Sequence, residues 1–311
     1  MGIYMFKKTL LTCFLLLPIT IPTNTHAVES DRMSRQSAEQ KKPERSSGIK
    51  LWRALNPKKL QLQSTAALVV DRFGNELYSK NADQARPIAS ITKLMTAMVI
   101  LDSPLPMRQE LVITDEDRDL LRMTGSRLKP GATLTREQLI KLALMSSENR
   151  AASALARTFP AGRKRFIYLM NKKALSLGMR NTKFTDPTGL DVGNSSTPRD
   201  LHKLVQAAMR YPFIRKATTS RSAQVYPYLK KGQLRFANTN RLLNSESWDI
   251  SLSKTGYINE AGRCLVMQAQ VSGQELTIIL LNSFGKMTPY GDSNRIRKWV
   301  EQGINVNSGS T

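Results

Sequence analysis

Strand-like segments stand near both ends of this chain with a long helical stretch between them, so any sheet must join residues far apart in sequence. Residues 66–71 (Ala-Ala-Leu-Val-Val-Asp) read as a strand, 72–75 (Arg-Phe-Gly-Asn) as a turn and 76–79 as its return. Late in the chain, 250–255, 264–271 and 275–281 read as strands, the last two joined at Ser272-Gly273. Between the two groups, a helix over 88–101 follows Pro87 and stops before Ser103-Pro104. Helical periods over 138–146 and 150–158 break near Ser147-Glu148-Asn149, and another over 162–177 is closed by Gly178. Thr197-Pro198, a cap followed by proline at the first helical position, opens a helix to about Met209, and a final helix fits 292–302. A β–helices–β–helix order predicts an α+β sheet with a helical insert, not a doubly wound sheet.

The first 27 residues are read apart from the fold. Lys7 and Lys8, an apolar run over 9–21 and Thr25-His26-Ala27 have the form of a cleavable export signal. The run is short for a membrane span, which needs about 20 apolar residues, and an uncleaved anchor is the alternative. Residues 28–56 are mostly polar and read as a disordered or linker segment; one folded domain is expected over 57–303, with its helical part near 104–215 and a polar tail at 304–311.

Export bears on the formal net charge of +23, from which loss of Lys7 and Lys8 would remove two. Such a balance attracts polyanions. An exported protein rarely meets nucleic acid, aromatic content is only 6%, and no recognition module is present. A carboxylate-rich cell wall is the partner that fits.

Histidine narrows the chemistry. With His26 in the signal, His202 alone remains, in an ordinary helical pattern, so a Ser-His-Asp or Cys-His site would rest on one imidazole. One His with one mature cysteine, Cys264, also makes a zinc site poor, and neither metal nor cofactor is expected. Cys264 lies in an apolar run and reads as a buried thiol.

Ser90-Ile91-Thr92-Lys93 is a Ser-x-x-Lys element, a spacing repeated at Ser47/Lys50, Ser126/Lys129 and Ser251/Lys254. Only Ser90 opens a helix, which places serine and lysine one turn apart on one face. Lys93 would act as a base only if burial or nearby cations lowered its pKa. Ser147-Glu148-Asn149 follows at a break between helices, and Lys254-Thr255-Gly256 at the end of the strand read over 250–255. A second serine can pass a proton to a leaving amine, and an amide can hold a substrate peptide group. A lysine–threonine pair can grip a carboxylate, and a glycine leaves room for substrate backbone.

In this order the three elements resemble those of the serine penicillin-binding protein and β-lactamase superfamily. The likeness covers roughly 60–302. It extends to 175–182, to Thr188-Gly189-Leu190-Asp191, to 196–201, to Asn238-Thr239-Asn240 and to Thr255-Gly256-Tyr257, which look like the D-alanyl-D-alanine peptidases. Residues 145–152 look most like the short endopeptidase branch. The resemblance implies an antiparallel five-stranded sheet flanked by helices, with an all-helical subdomain. It implies that Ser90 is acylated, that Lys93 accepts its proton and that Ser147 relays one. Asn149 would orient substrate, Lys254, Thr255 and Gly256 would bind it, and the N–H groups of Ser90 and Tyr257 would form the oxyanion hole. Peptidoglycan peptide stems are the implied substrates and β-lactams the covalent inhibitors, for a periplasmic enzyme without a stable membrane anchor.

A class A β-lactamase uses a further glutamate between the second and third elements, and here none occurs between Glu148 and Glu246. Slow deacylation by penicillin is therefore expected. The anchored carboxypeptidases of the family carry an extra β-domain and an amphipathic helix. This sequence closes soon after its last predicted helix, which favours endopeptidase over carboxypeptidase action.

Overall fold

A computed structural model describes residues 55–229 and 232–308; the expected signal at 1–27 and nearly all of the linker lie outside them. Five strands form one antiparallel sheet: β1 (Ala66–Asp71), β2 (Glu76–Lys80), β3 (Asp249–Ile258), β4 (Gly262–Val271) and β5 (Gln274–Ser283), in the order β2-β1-β5-β4-β3. The two N-terminal strands therefore add to one side of a three-strand C-terminal meander, through pairing of β1 with β5. This is the α+β architecture expected, with β3 left as an edge.

All six residues of β1 are buried, because both faces of the sheet are covered. Leu68 and Val70 face the helical side, with Val266, Ile279 and Leu281, while Ala67 and Val69 face the other side with Met267, Ile278 and Leu280. The alternation is the two-residue period of a strand.

Six helices separate β2 from β3: α1 (Thr92–Leu101), α2 (Arg136–Met145), α3 (Asn149–Arg157), α4 (Gly162–Ser176), α5 (Pro198–Ala208) and α6 (Pro212–Thr219). A seventh, α7 (Thr288–Ser308), closes the described chain. Nine of the ten residues of helix α1 are buried, polar Thr92, Lys93 and Thr96 among them, so it is the axis of the helical part. Helix α5 packs on one face of the sheet and α7 on the other. Caps fix the starts: Thr135 and Gln138 form a reciprocal capping box on α2, and the Thr197 hydroxyl accepts from Asp200 N, 3.1 Å, with Pro198 as first residue of α5.

Several boundaries differ from expectation. Leu55 is already buried, with Trp299 and Val300 in the same cluster, and Trp299 Nε1 donates to Asn56 O at 3.1 Å, so packing begins before residue 57. The polar tail expected over 304–311 is helical through Ser308. Helix α6 and the short ladder of Ser222–Val225 with Leu234–Ala237 were not foreseen; they brace the segment between α5 and β3. Among the described residues no helix is long and apolar enough to cross a membrane.

Candidate active site

Ser90 sits where three backbone segments converge. Ala89 adopts φ +47°, a left-handed conformation that costs a non-glycine residue about 1–3 kcal/mol. It turns the chain out of the short strand Arg86–Pro87 into a 3-10 turn over Ala89–Ile91 that carries Ser90. The α-helix therefore starts at Thr92, not at 88 as the spacing predicted. Two glycines lie flat against this turn. A β-carbon at Gly189, whose φ is +81°, would collide with the Ala89 carbonyl, and one at Gly256 would fall 3.0 Å from Ser90 N.

Lys93 is fully buried one turn on. Its Nζ donates to Ser90 Oγ at 2.7 Å, to Asn149 Oδ1 at 2.7 Å and to Thr188 O at 2.6 Å. None of these acceptors is charged. Burial therefore brings the Lys93 pKa from 10.5 to about 7, against the opposing pull of the carboxylates of Asp186, Glu148 and Asp119. As a neutral amine it keeps two N–H donors for Asn149 and Thr188, and its lone pair faces the Ser90 hydroxyl. The chain thus places a buried amine one turn from a serine hydroxyl, and burial favours the neutral form of that amine.

Ser147 occupies the break between α2 and α3 with φ +59°, a second left-handed non-glycine position. The next residue, Glu148, caps α3: its Oε1 accepts from Arg150 N at 3.3 Å and from Ser126 Oγ at 2.6 Å. Ser126, one of the competing Ser-x-x-Lys serines, is thus a loop brace. Asn149 opens α3 and donates through Nδ2 to Thr124 Oγ1 at 3.0 Å.

Lys254, also buried, donates to Ser147 Oγ at 2.9 Å and to Thr255 O at 2.8 Å. Its pKa falls well below the lysine range through burial and then the charge of Lys93. Strand β3 does not stop at Thr255 but runs on to Ile258, so Lys254-Thr255-Gly256 lies within the edge strand, along the cleft. Thr255 Oγ1 donates to Thr239 Oγ1 at 2.6 Å, and Tyr257 is 48% exposed under the Arg263 guanidinium, 3.9 Å from its ring. Ser90, Ser147, Asn149, Thr255, Gly256 and Tyr257 line one cleft of about 460 Å³.

Two contributors were given no role by the sequence, although Thr188 lies in one of the segments that carry the likeness. Thr188 acts through its backbone carbonyl, and Asp186 holds the loop that presents it. The Asp186 carboxylate accepts from the N–H groups of Thr188, Gly189 and Asp191 and from the Thr188 hydroxyl. The remaining candidates fall elsewhere. His202 is half-buried on α5 and does not line the cleft, and burial lowers its pKa. Cys264 belongs to the cleft wall but is buried, its thiol pushed up to about 11 by burial, so it stays protonated. A second Ser-x-Asn, Ser79-Lys80-Asn81, ends β2 away from the cleft.

A serine hydroxyl against a buried neutral amine, with a second serine–lysine pair across the cleft, is the equipment of acyl transfer without histidine. Residues 53–285 match the peptidase family model described as D-alanyl-D-alanine carboxypeptidase. The chain belongs to that family. It is a serine DD-peptidase. Among similar curated proteins, the D-alanyl-D-alanine endopeptidase of Pseudomonas aeruginosa is 45% identical over 248 residues, 79% of this chain and 80% of that protein. That of Escherichia coli is 43% identical over 244 residues, 78% and 79% of the two chains. A Streptomyces DD-transpeptidase of known structure superposes with a TM-score of 0.73 at 30% identity, covering 78% of this chain and 99% of its own. The antiparallel sheet and helical part described above are the fold of that DD-peptidase group.

Proposed function

We propose that this DD-peptidase cuts D-alanyl cross-links in peptidoglycan as an endopeptidase, through an acyl-enzyme on Ser90. The observation that carries the reading is the Lys93 amine, buried and 2.7 Å from Ser90 Oγ. The serine attacks the D-alanyl carbonyl carbon, and its proton passes to the lone pair of neutral Lys93. The developing oxyanion is held by the N–H groups of Ser90 and Tyr257. Close packing of Gly256 on the Ser90 backbone supports this pairing of turn and strand. Ser147, held by Lys254, gives its hydroxyl proton to the leaving amine as the C–N bond breaks and is reprotonated by the proton that Lys93 took up, which leaves Lys93 neutral again. Water then hydrolyses the ester and restores Ser90. Asn149 orients the substrate peptide group, while Lys254, Thr255 and Gly256 receive the substrate beside the edge strand.

β-Lactams, whose strained amide presents the same carbonyl, acylate the same serine. Action in the periplasm is supported by the basic, apolar N-terminal 27 residues. Similarity over most of the chain to two endopeptidases favours cross-link cleavage over carboxypeptidase action. The test is product analysis on purified cross-linked muropeptide dimers. Conversion of dimer to monomer is expected; release of free D-alanine without monomer would make the enzyme a carboxypeptidase.

A further inference from the structure

One end of the cleft carries more positive charge than cleavage of an alanyl bond requires. Arg241, Arg263 and Lys286 line it together with Tyr290, and no acidic side chain does. None of the three cations forms an ion pair among the described residues. Arg263 rests on the Tyr257 ring, and Arg241 has only a 4.0 Å contact to Met287 Sδ. Both arginines line the cleft together with the Tyr290 phenol. The Tyr290 hydroxyl adjoins the proposed substrate-binding strand: Tyr290 Oη donates to Thr239 O at 3.1 Å, and Thr239 Oγ1 accepts from Thr255 Oγ1 at 2.6 Å. On the strand itself, Arg263 pairs across from Tyr257, next to Gly256.

Resting on the endopeptidase reading above, we propose that Arg241 and Arg263, with Tyr290 in the same cleft wall, form a second carboxylate subsite on the leaving-group side of the cleft. Lys254 and Thr255 receive the carboxylate beside the scissile amide; the arginine pair receives one further out. Free D-alanine has a single carboxylate and cannot reach both places. A cross-linked peptide stem carries additional carboxylates and can. The pair thus selects the leaving group, and it acts on binding, not on the acyl step. Guanidinium is suited to this because its planar fork matches a carboxylate and it stays charged at every working pH.

The test compares two synthetic stem peptides, one with its outer carboxylates free and one with them amidated. Each is used to protect Ser90 of the full chain from labelling by a fluorescent penicillin. The free-carboxylate stem should protect at a concentration about 10-fold lower than the amidated one, the value of one charge-assisted pair. That advantage should fall below about 2-fold in Arg241→Gln/Arg263→Gln and be only partly kept in Arg241→Lys/Arg263→Lys, which retains the charge but not the fork. Thermal unfolding with and without each stem reads the same preference in any variant that labels slowly. Equal protection by both stems in the native protein, or an advantage that survives the double glutamine change, would overturn the subsite. Failure of the endopeptidase reading shows separately, as muropeptide dimers left uncut while the stem preference is still read.

Discussion

The Cα of Gly256 lies against the backbone of Ser90: a β-carbon at 256 would fall 3.0 Å from the Ser90 nitrogen and 2.9 Å from the Ile88 carbonyl oxygen. Strand edge and nucleophile turn are thus in direct contact. Gly256→Ala should force them apart by a few tenths of an ångström and lower the rate of penicillin acylation by roughly 10–100-fold, because misplacement of this order is costly at a reacting centre. Stopped-flow labelling measures it. A rate within about twofold of the native enzyme would show that the contact does not position the site.

The state of Lys93 sets the pH dependence. Its pKa is about 7, and in the proposed mechanism the form that accepts the Ser90 proton is the neutral amine. Acylation should fall about tenfold per pH unit below that value and level off above it. The stability sign agrees: the folded-state pKa lies below the ordinary 10.5, so this lysine's contribution rises with pH between about 7 and 10.5 and is lost below. An acylation rate independent of pH from 5 to 9 would remove Lys93 as the base.

Asp186 ties the loop that supplies Thr188 O to Lys93, through three backbone N–H groups and a hydroxyl. Asp186→Ala leaves these donors without their acceptor. A loss of about 2–4 kcal/mol in urea unfolding is expected, from hydrogen bonds to a charged group worth about 1.5–3 kcal/mol each. Slower acylation should accompany it. Native stability in the variant would mean that the loop is held by other contacts.

The penicilloyl ester should persist. No glutamate lies between 148 and 246, and the carboxylate nearest the site in that stretch, Asp186, is occupied by its own loop. Mass spectrometry after dilution into drug-free buffer should find the adduct still present after minutes. Turnover at many cycles per second would place the enzyme among the β-lactamases.

Much of the candidate site was legible because the residues that the structure brings together sit in short local motifs. Ser90 and Lys93 are one helical turn apart, and the elements holding Ser147 and Lys254 carry recognisable triplets. Strands β1, β4 and β5 announced themselves through long apolar runs, since both sheet faces are covered. What the sequence hid is non-local or carried by backbone. The Thr188 carbonyl has no side-chain signature, and Thr239 meets Thr255 only once the chain between them folds back. The left-handed Ala89, which delays α1 to Thr92, follows from packing against Gly189 and Gly256 and not from alanine's own preference. Helix α6 escaped notice because it is short and ends in two threonines, weak helix formers. Strand β3 outran its expected end because Gly256 and Tyr257 continue to pair with Cys264 and Arg263.

The central claim is that one hydroxyl, that of Ser90, carries the acyl group. Peptide mapping by mass spectrometry after exposure to penicillin tests it directly, on the native chain and on Ser90→Ala. A single adduct is expected on the peptide holding Ser90 and none on the variant. An adduct that survives Ser90→Ala, or maps to Ser147, would contradict it.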